Sequence, residues 1–197
     1  MSKLLLIVLA LGALAFFALR WGARGVLPEI GSAAPDFDLP DSANQRHTLA
    51  DYRGRWLVLY FYPKDATPIC TAEVCNLRDG YGEFQARNVA LLGVSLDDAD
   101  SHTEFAQRHD LPFPLLTDTN AAVARAYGSL SDFGLFRFAK RHTFLIDPSG
   151  RVAKVYQKID AEQHAQEILH DLNQFGAHLG VVAPSSGANN SSTPHNP

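Results

Sequence analysis

Cysteine is scarce in this chain: its 197 residues include two, Cys70 and Cys75. A disulfide-stapled scaffold would carry more, spread along the sequence, so that class is excluded. Five positions apart, the pair would close only a very short loop, and the chain-entropy gain of a cross-link grows with loop length. The two thiols are therefore read as reactive or metal-binding groups rather than as reinforcement. Dense runs of Lys or Arg are also lacking. With 21 acidic and 17 basic side chains the formal net charge is −4, and no basic patch suggests a nucleic-acid footprint. Internal repeats are missing too. Apolar residues, by contrast, make up 46% of the chain. That is enough for one globular domain with a sizeable core, with residues left over at both ends.

One apolar run stands apart from the rest. Residues 4–19 hold no charge, with Lys3 before them and Arg20 and Arg24 after. A bilayer span takes about 20 residues. Trp21, Gly22 and Ala23 bring the run near that length, and Trp21 suits an interface. Residues 1–24 are thus expected to form an uncleaved membrane anchor. A signal segment is the rival reading, because Ala13-Leu14-Ala15 has the character of a cleavage site. The protein is accordingly expected to be membrane-anchored or exported, on the periplasmic side in preference to the cytoplasmic face, and to be a monomer. Residues 25–33 read as a linker, 34–180 as the folded domain, and 181–197, dominated by Ser, Asn, Gly, Pro and Thr, as a disordered tail.

Within the domain, residues 49–52 predict a single helical turn. The run 56–62, Trp-Leu-Val-Leu-Tyr-Phe-Tyr, and the run 89–95, Val-Ala-Leu-Leu-Gly-Val-Ser, each predict a strand buried on both faces. Residues 70–85 have helical character. Residues 101–109 predict a helix with Ser101 as N-cap and Glu104 three positions on, a capping box. A short strand follows at 115–117 and a helix at 121–127. Strands at 143–146 and 152–156 are joined by Asp147-Pro148-Ser149-Gly150, which is hairpin chemistry. An amphipathic helix over 161–175 closes the domain, with Ile168, Leu169, Leu172 and Phe175 on one face. The order βαβ then ββα describes an α/β thioredoxin-like fold, a mixed central β-sheet flanked by helices.

A thiol that attacks a small oxidant must be ionised, must face groups that polarise the bond being broken, and must be reachable. Cys70 falls where a buried strand gives way to a helix. A helix N-terminus offers unpaired backbone N–H groups and the positive end of the dipole, both favourable to a thiolate. Thr67 can donate its hydroxyl to the sulfur or the oxidant, or act simply as N-cap. Pro63 either shapes the loop or merely ends the strand, and Pro68 stiffens the approach to the helix. Arg141 stands just before the strand at 143–146. If that strand is central, its first residues lie near Cys70; otherwise Arg141 is a solvated charge. Arg78, about two turns beyond Cys70, falls on roughly the same helix face. If both cysteines sit on one regular helix, their Cα atoms are about 8.6 Å apart. A disulfide usually needs less than about 7 Å, so bonding them requires the helix to unwind locally.

Four segments together carry a resemblance: Ala34-Pro35-Asp36-Phe37, Tyr60-Phe61-Tyr62-Pro63-Lys64-Asp65, Thr67-Pro68-Ile69-Cys70-Thr71-Ala72-Glu73-Val74-Cys75, and Arg141-His142-Thr143-Phe144-Leu145-Ile146-Asp147. From about residue 31 to 175 the chain resembles the peroxiredoxin Q group, also called bacterioferritin comigratory protein. Ile69 stands where that group more often has Gly. The resemblance implies a thiol peroxidase with no metal or organic cofactor. Cys70 would be the peroxidatic cysteine and Cys75 the resolving one, with Pro63, Thr67 and Arg141 as the activating set. Hydrogen peroxide and organic hydroperoxides would be the substrates, and thioredoxin or a similar dithiol protein the reductant. Two other readings remain open. A membrane-anchored thiol–disulfide oxidoreductase would share the fold but normally carries Cys-x-x-Cys. A copper-binding module could recruit the two cysteines with His109 or His142. The aromatic stretch 133–138 either covers the protein's own core or faces a membrane, a partner or the site.

Overall fold

The computed structural model describes residues 25–134 and 136–176. Its centre is a five-stranded sheet. β3 (Trp56–Phe61) lies in the middle, and β4 (Val89–Ser95) runs parallel beside it, with β5 (Leu115–Thr117) parallel beyond. On the other side β8 (His142–Ile146) pairs antiparallel with β3, and β9 (Val152–Tyr156) antiparallel with β8. The continuous apolar runs follow from burial on both faces. Leu57, Leu59 and Phe61 of β3 enter one core cluster with Leu92, Val94, Phe144 and Ile146. Val58 and Tyr60 enter the other, with Leu91 and Leu145. Successive side chains alternate between faces, so neither face tolerates a charge. This is the mixed sheet of a thioredoxin-like fold.

Helices cover both faces. On the Val58 side lie α1 (Pro68–Asp79), α2 (Tyr81–Ala86), α3 (Ala99–Arg108) and α5 (His164–Gln174), through Val74, Leu77, Phe84, Phe105, Ile168 and Leu172. On the other side α4 (Ala122–Ala126) contributes Val123 and Ala124. The turn between β8 and β9 is built on Asp147, whose Oδ1 accepts from the backbone N–H of Ser149 and of Arg151, each at 2.9 Å. Gly150 supplies the positive φ of +80° that closes it.

Several expectations change in detail. The helix read over 70–85 begins at Pro68 and is broken at Gly80 into α1 and α2. α3 is capped by Asp98, whose side chain accepts from Ser101 N at 2.9 Å, so Ser101 is a first-turn residue and not the cap. Two hairpins went unread. β1 (Asp38–Pro40) pairs with β2 (Arg46–Thr48), and β6 (Leu130–Asp132) pairs with β7 (Arg137–Ala139). The aromatic stretch is therefore the tip and return of a hairpin, with Phe133 and Phe136 exposed and Ala139 in the core. Part of the stretch read as linker is bonded to β9: Gly31 N donates to Val152 O at 2.7 Å and Val152 N to Ser32 O at 3.0 Å.

The expectation of a membrane-anchored or exported protein is corrected. Among the described residues no helix is long and apolar enough to cross a membrane. The segment 4–19 that carried the expectation lies outside the described residues, as does the tail 181–197. Placement at a membrane, on either side, is withdrawn.

Candidate active site

The site forms where β3 ends. Tyr62 continues the strand by one more bond, its N–H donating to Val94 O at 3.1 Å, and Pro63 then turns the chain out of the sheet. A buried polar network fixes the loop that follows. Asp65 accepts from Tyr62 OH at 2.7 Å and Ser101 Oγ at 2.8 Å, and lies 2.8 Å from His102 Nδ1. Its own N–H donates to Asp97 at 2.9 Å. Burial works against the Asp65 charge, but His102, Tyr62 and Ser101 outweigh it and hold the carboxyl below its ordinary value. Ala66 next to it takes a left-handed φ of 55°, a strained conformation for a residue with a Cβ. That twist brings Thr67 to the N-cap position of α1 and Pro68 to its first turn, where a missing N–H costs nothing.

Cys70 therefore sits in the first turn of α1, where its N–H is one of the helix's unpaired donors. The residue is only 2% exposed. Pro63, Thr67 and Arg141 are each half-buried, and Ile69 beside Cys70 is 61% exposed. Arg141 arrives because β8 is next to the central strand and antiparallel to it: His142 pairs with Phe61, so the residue before His142 meets the loop after Phe61. Its Nη2 donates to Cys70 Sγ at 3.1 Å. Its Nη1 donates to Glu73, one turn further along α1. Glu73 is 1% exposed, and burial pushes its carboxyl above the ordinary carboxylate range, opposed by Arg141. Desolvation weakens the guanidinium's hold on its proton, but Glu73 and Cys70 reverse the balance and leave its pKa raised.

Cys75 lies on the same helix and is half-exposed. Its Sγ is 3.8 Å from His109 Nδ1, and both thiols are free. Thr67 donates its hydroxyl to Lys64 O at 3.1 Å, so neither the side-chain cap nor a bond to Cys70 is present. Arg78 does not serve Cys70. It binds Asp79 through Nε and Nη2, and Nη1 donates to His109 O at 2.9 Å. The two imidazoles considered as metal ligands part company: His109 stands beside Cys75, whereas His142 Nδ1 lies 3.1 Å from Ser129 Oγ. Among the described residues no three His, Cys, Asp or Glu side chains gather as a metal-holding group. A cavity of about 630 Å³ opens at the far end of the sheet, lined in part by Arg46, Tyr52, Arg55 and Val89, and includes neither cysteine.

Sequence reasoning missed Glu73. An acidic residue in a helix reads as solvated, and only the arrival of Arg141 from 68 positions away explains its burial. The Asp65–His102 network was missed for the same reason, its partners being 37 positions apart.

A strand-to-helix junction presenting a cysteine to an arginine from the neighbouring strand, on a thioredoxin-like sheet, defines a class of thiol-based redox proteins. The AhpC/TSA family matches residues 30–155. The Bacillus subtilis (strain 168) protein "Peroxiredoxin Bcp" is 40% identical over 151 residues, covering 75% of this chain and 96% of that one. The crystal structure of a cysteine-to-serine mutant of Xylella fastidiosa PrxQ superposes with a TM-score of 0.71 at 32% identity, over 77% of this chain and 99% of the other. A Xanthomonas campestris bacterioferritin comigratory protein, studied for its alkyl peroxide reduction activity, gives a TM-score of 0.68 at 33% identity, over 76% and 96%. The chain belongs to the AhpC/TSA family and is a peroxiredoxin of the Bcp and Q kind, a thiol peroxidase.

Proposed function

We propose that this peroxiredoxin works through Cys70 as peroxidatic and Cys75 as resolving cysteine, with Pro63, Thr67 and Arg141 as the residues that shape and charge the site. The observation that carries the reading is the 3.1 Å contact from Arg141 Nη2 to Cys70 Sγ at the first turn of α1. A guanidinium and unpaired amides facing one sulfur stabilise negative charge on it and on the oxygen that departs. The Cys70 thiolate attacks the terminal oxygen of a hydroperoxide. The O–O bond breaks, an alcohol or water leaves with a proton, and Cys70 becomes a sulfenic acid. Cys75 then attacks that sulfur: an S–S bond forms, the S–O bond breaks and water leaves. Thioredoxin or a comparable dithiol returns both thiols by exchange. Hydrogen peroxide and organic hydroperoxides are the substrates, in keeping with the activity named for the Xanthomonas neighbour.

Both cysteines belong to α1, which is unbroken from Pro68 to Asp79. Regular helix keeps their Cα atoms about 8.6 Å apart, beyond disulfide range. Forming the bond therefore unwinds the first turns of α1. Peroxide consumption with thioredoxin as reductant tests the assignment. Cys70→Ser abolishes turnover, while Cys75→Ser consumes one equivalent and stalls unless an external thiol is added. Steady turnover by Cys70→Ser would overturn it.

A further inference from the structure

Three residues in the middle of α1 are tied to elements outside the site just described. Cys75 Sγ meets His109 Nδ1 at 3.8 Å. His109 follows α3 as its C-cap, with its ring edge-on to Phe105 at 5.0 Å between centroids. Its carbonyl accepts from Arg78 Nη1. Asn76 reaches the opposite way. Its Nδ2 donates to Glu162 O and its Oδ1 accepts from Ala165 N, both at 2.7 Å. Gln163, at the N-cap of α5, gives no side-chain cap. Asn76 of α1 supplies that acceptor instead, so α5 is capped by a neighbouring helix.

We propose that His109 and Asn76 are positioning residues for the resolving thiol: they hold Cys75 on a wound α1 in the dithiol form and thereby set the reduction potential of the Cys70–Cys75 couple. The inference rests on the reading of those cysteines as a redox pair. Its logic is linkage. The bonds from residues 75 and 76 exist only while α1 is helical across 70–78, and the disulfide requires that stretch to unwind. They stabilise the dithiol and are absent from the disulfide. Whatever stabilises the reduced form alone raises the potential of the couple. The same bonds must break before Cys75 can reach Cys70, so they also slow resolution and lengthen the life of the sulfenic acid. A purely structural role would stabilise both redox forms alike and move neither quantity.

The test uses the full chain and two independent variants. His109→Phe keeps an aromatic ring against Phe105 but removes the nitrogen facing Cys75. Asn76→Leu keeps side-chain bulk and removes both bonds to the start of α5. The dithiol–disulfide ratio is read by mass spectrometry after equilibration in glutathione buffers of known potential, and disulfide formation is timed after one equivalent of peroxide. A net hydrogen bond is worth about 1 kcal/mol, so His109→Phe is expected to shift the equilibrium about fivefold toward the disulfide and Asn76→Leu, which loses two bonds, about 30-fold. At 29.6 mV per tenfold these are about 20 mV and about 44 mV more reducing, each with faster disulfide formation. Unchanged potentials and resolution rates in both variants would overturn the proposal, even with a lower melting temperature of the dithiol form. A wild-type chain that forms no Cys70–Cys75 disulfide would overturn the underlying pairing, and the inference with it, so the two failures are told apart.

Discussion

The two sulfurs of α1 lie five positions apart and live under opposite constraints. Around Cys70 everything is fixed from several directions: a strained Ala66, a buried Asp65 network, the guanidinium of Arg141 just before β8 and the buried Glu73 paired with it. Around Cys75 the contacts are few, half-exposed and made by side chains that can let go, His109 above all. The first sulfur has a surrounding built before any substrate arrives. The second has a berth it can leave. On the proposed assignment of the two thiols, a helix that presents one rigidly and releases the other needs both kinds of environment within three turns.

The strongest way to break this contrast is to remove the charge on the rigid side. Arg141→Gln leaves Cys70 without its guanidinium and Glu73 buried without its partner. The loss of one preorganised charged donor is expected to slow the first oxidation step about 100-fold. Stopped-flow measurement of single-turnover peroxide consumption reads this directly. Resolution, timed separately from sulfenic acid to disulfide, should change far less. Equal slowing of both steps would mean that the two ends of α1 are one environment after all.

The next effect is on stability and is specific to acid. His164 belongs to the rigid side: its Nε2 lies 2.8 Å from Thr143 Oγ1 on β8. Burial, with Arg141 adding to it, pushes its pKa down from 6.5 to about 4. Above about pH 6.5 the ring is neutral in both folded and unfolded chains and costs nothing. Below that the unfolded chain takes up a proton that the folded one refuses until about pH 4, so stability falls as pH falls through this window. By pH 5 the loss is about 2 kcal/mol. His142, also lowered by burial and by Lys140, adds to it with the same sign. Urea midpoints for His164→Gln should decline more shallowly between pH 6.5 and 4 than those of wild type. Parallel curves would remove His164 from the account.

How far the sequence showed this arrangement depended on whether the physics was local. β3 and β4 were legible because strands buried on both faces must be apolar at every position, and Val58 and Leu59 read alike though they face opposite clusters. Cys70 at a helix start was legible from Pro63, Pro68 and the run before them. The break at Gly80 was not, since α2 resumes helical periodicity at once. The hairpins β1–β2 and β6–β7 have strands of three residues, too short to show any period. Asp98 was passed over because Asp97, Asp98, Asp100 and Ser101 all offer plausible caps and only the backbone chooses. Arg141 shows the limit most clearly. Beside Lys140 it reads as a surface charge, and only the antiparallel pairing of β8 with β3 delivers it to the sulfur.

The smallest expected effect is also the sharpest check on which residues serve which thiol. By helix periodicity Arg78 shares a face with Cys70, and that placement suggests a second cation for the reactive sulfur. Its guanidinium goes elsewhere, to Asp79 and to the carbonyl of His109. The Arg78–Asp79 pair is on the surface, with Asp79 68% exposed, and such pairs contribute little to stability. Arg78→Gln is therefore expected to leave the first oxidation step within about twofold of wild type and the unfolding free energy within about 0.5 kcal/mol. Stopped-flow traces and urea titrations of the same preparations measure both. A tenfold loss in the first step would assign Arg78 to the Cys70 environment despite its geometry, and the division of α1 into a rigid end and a releasable one would fail at that residue.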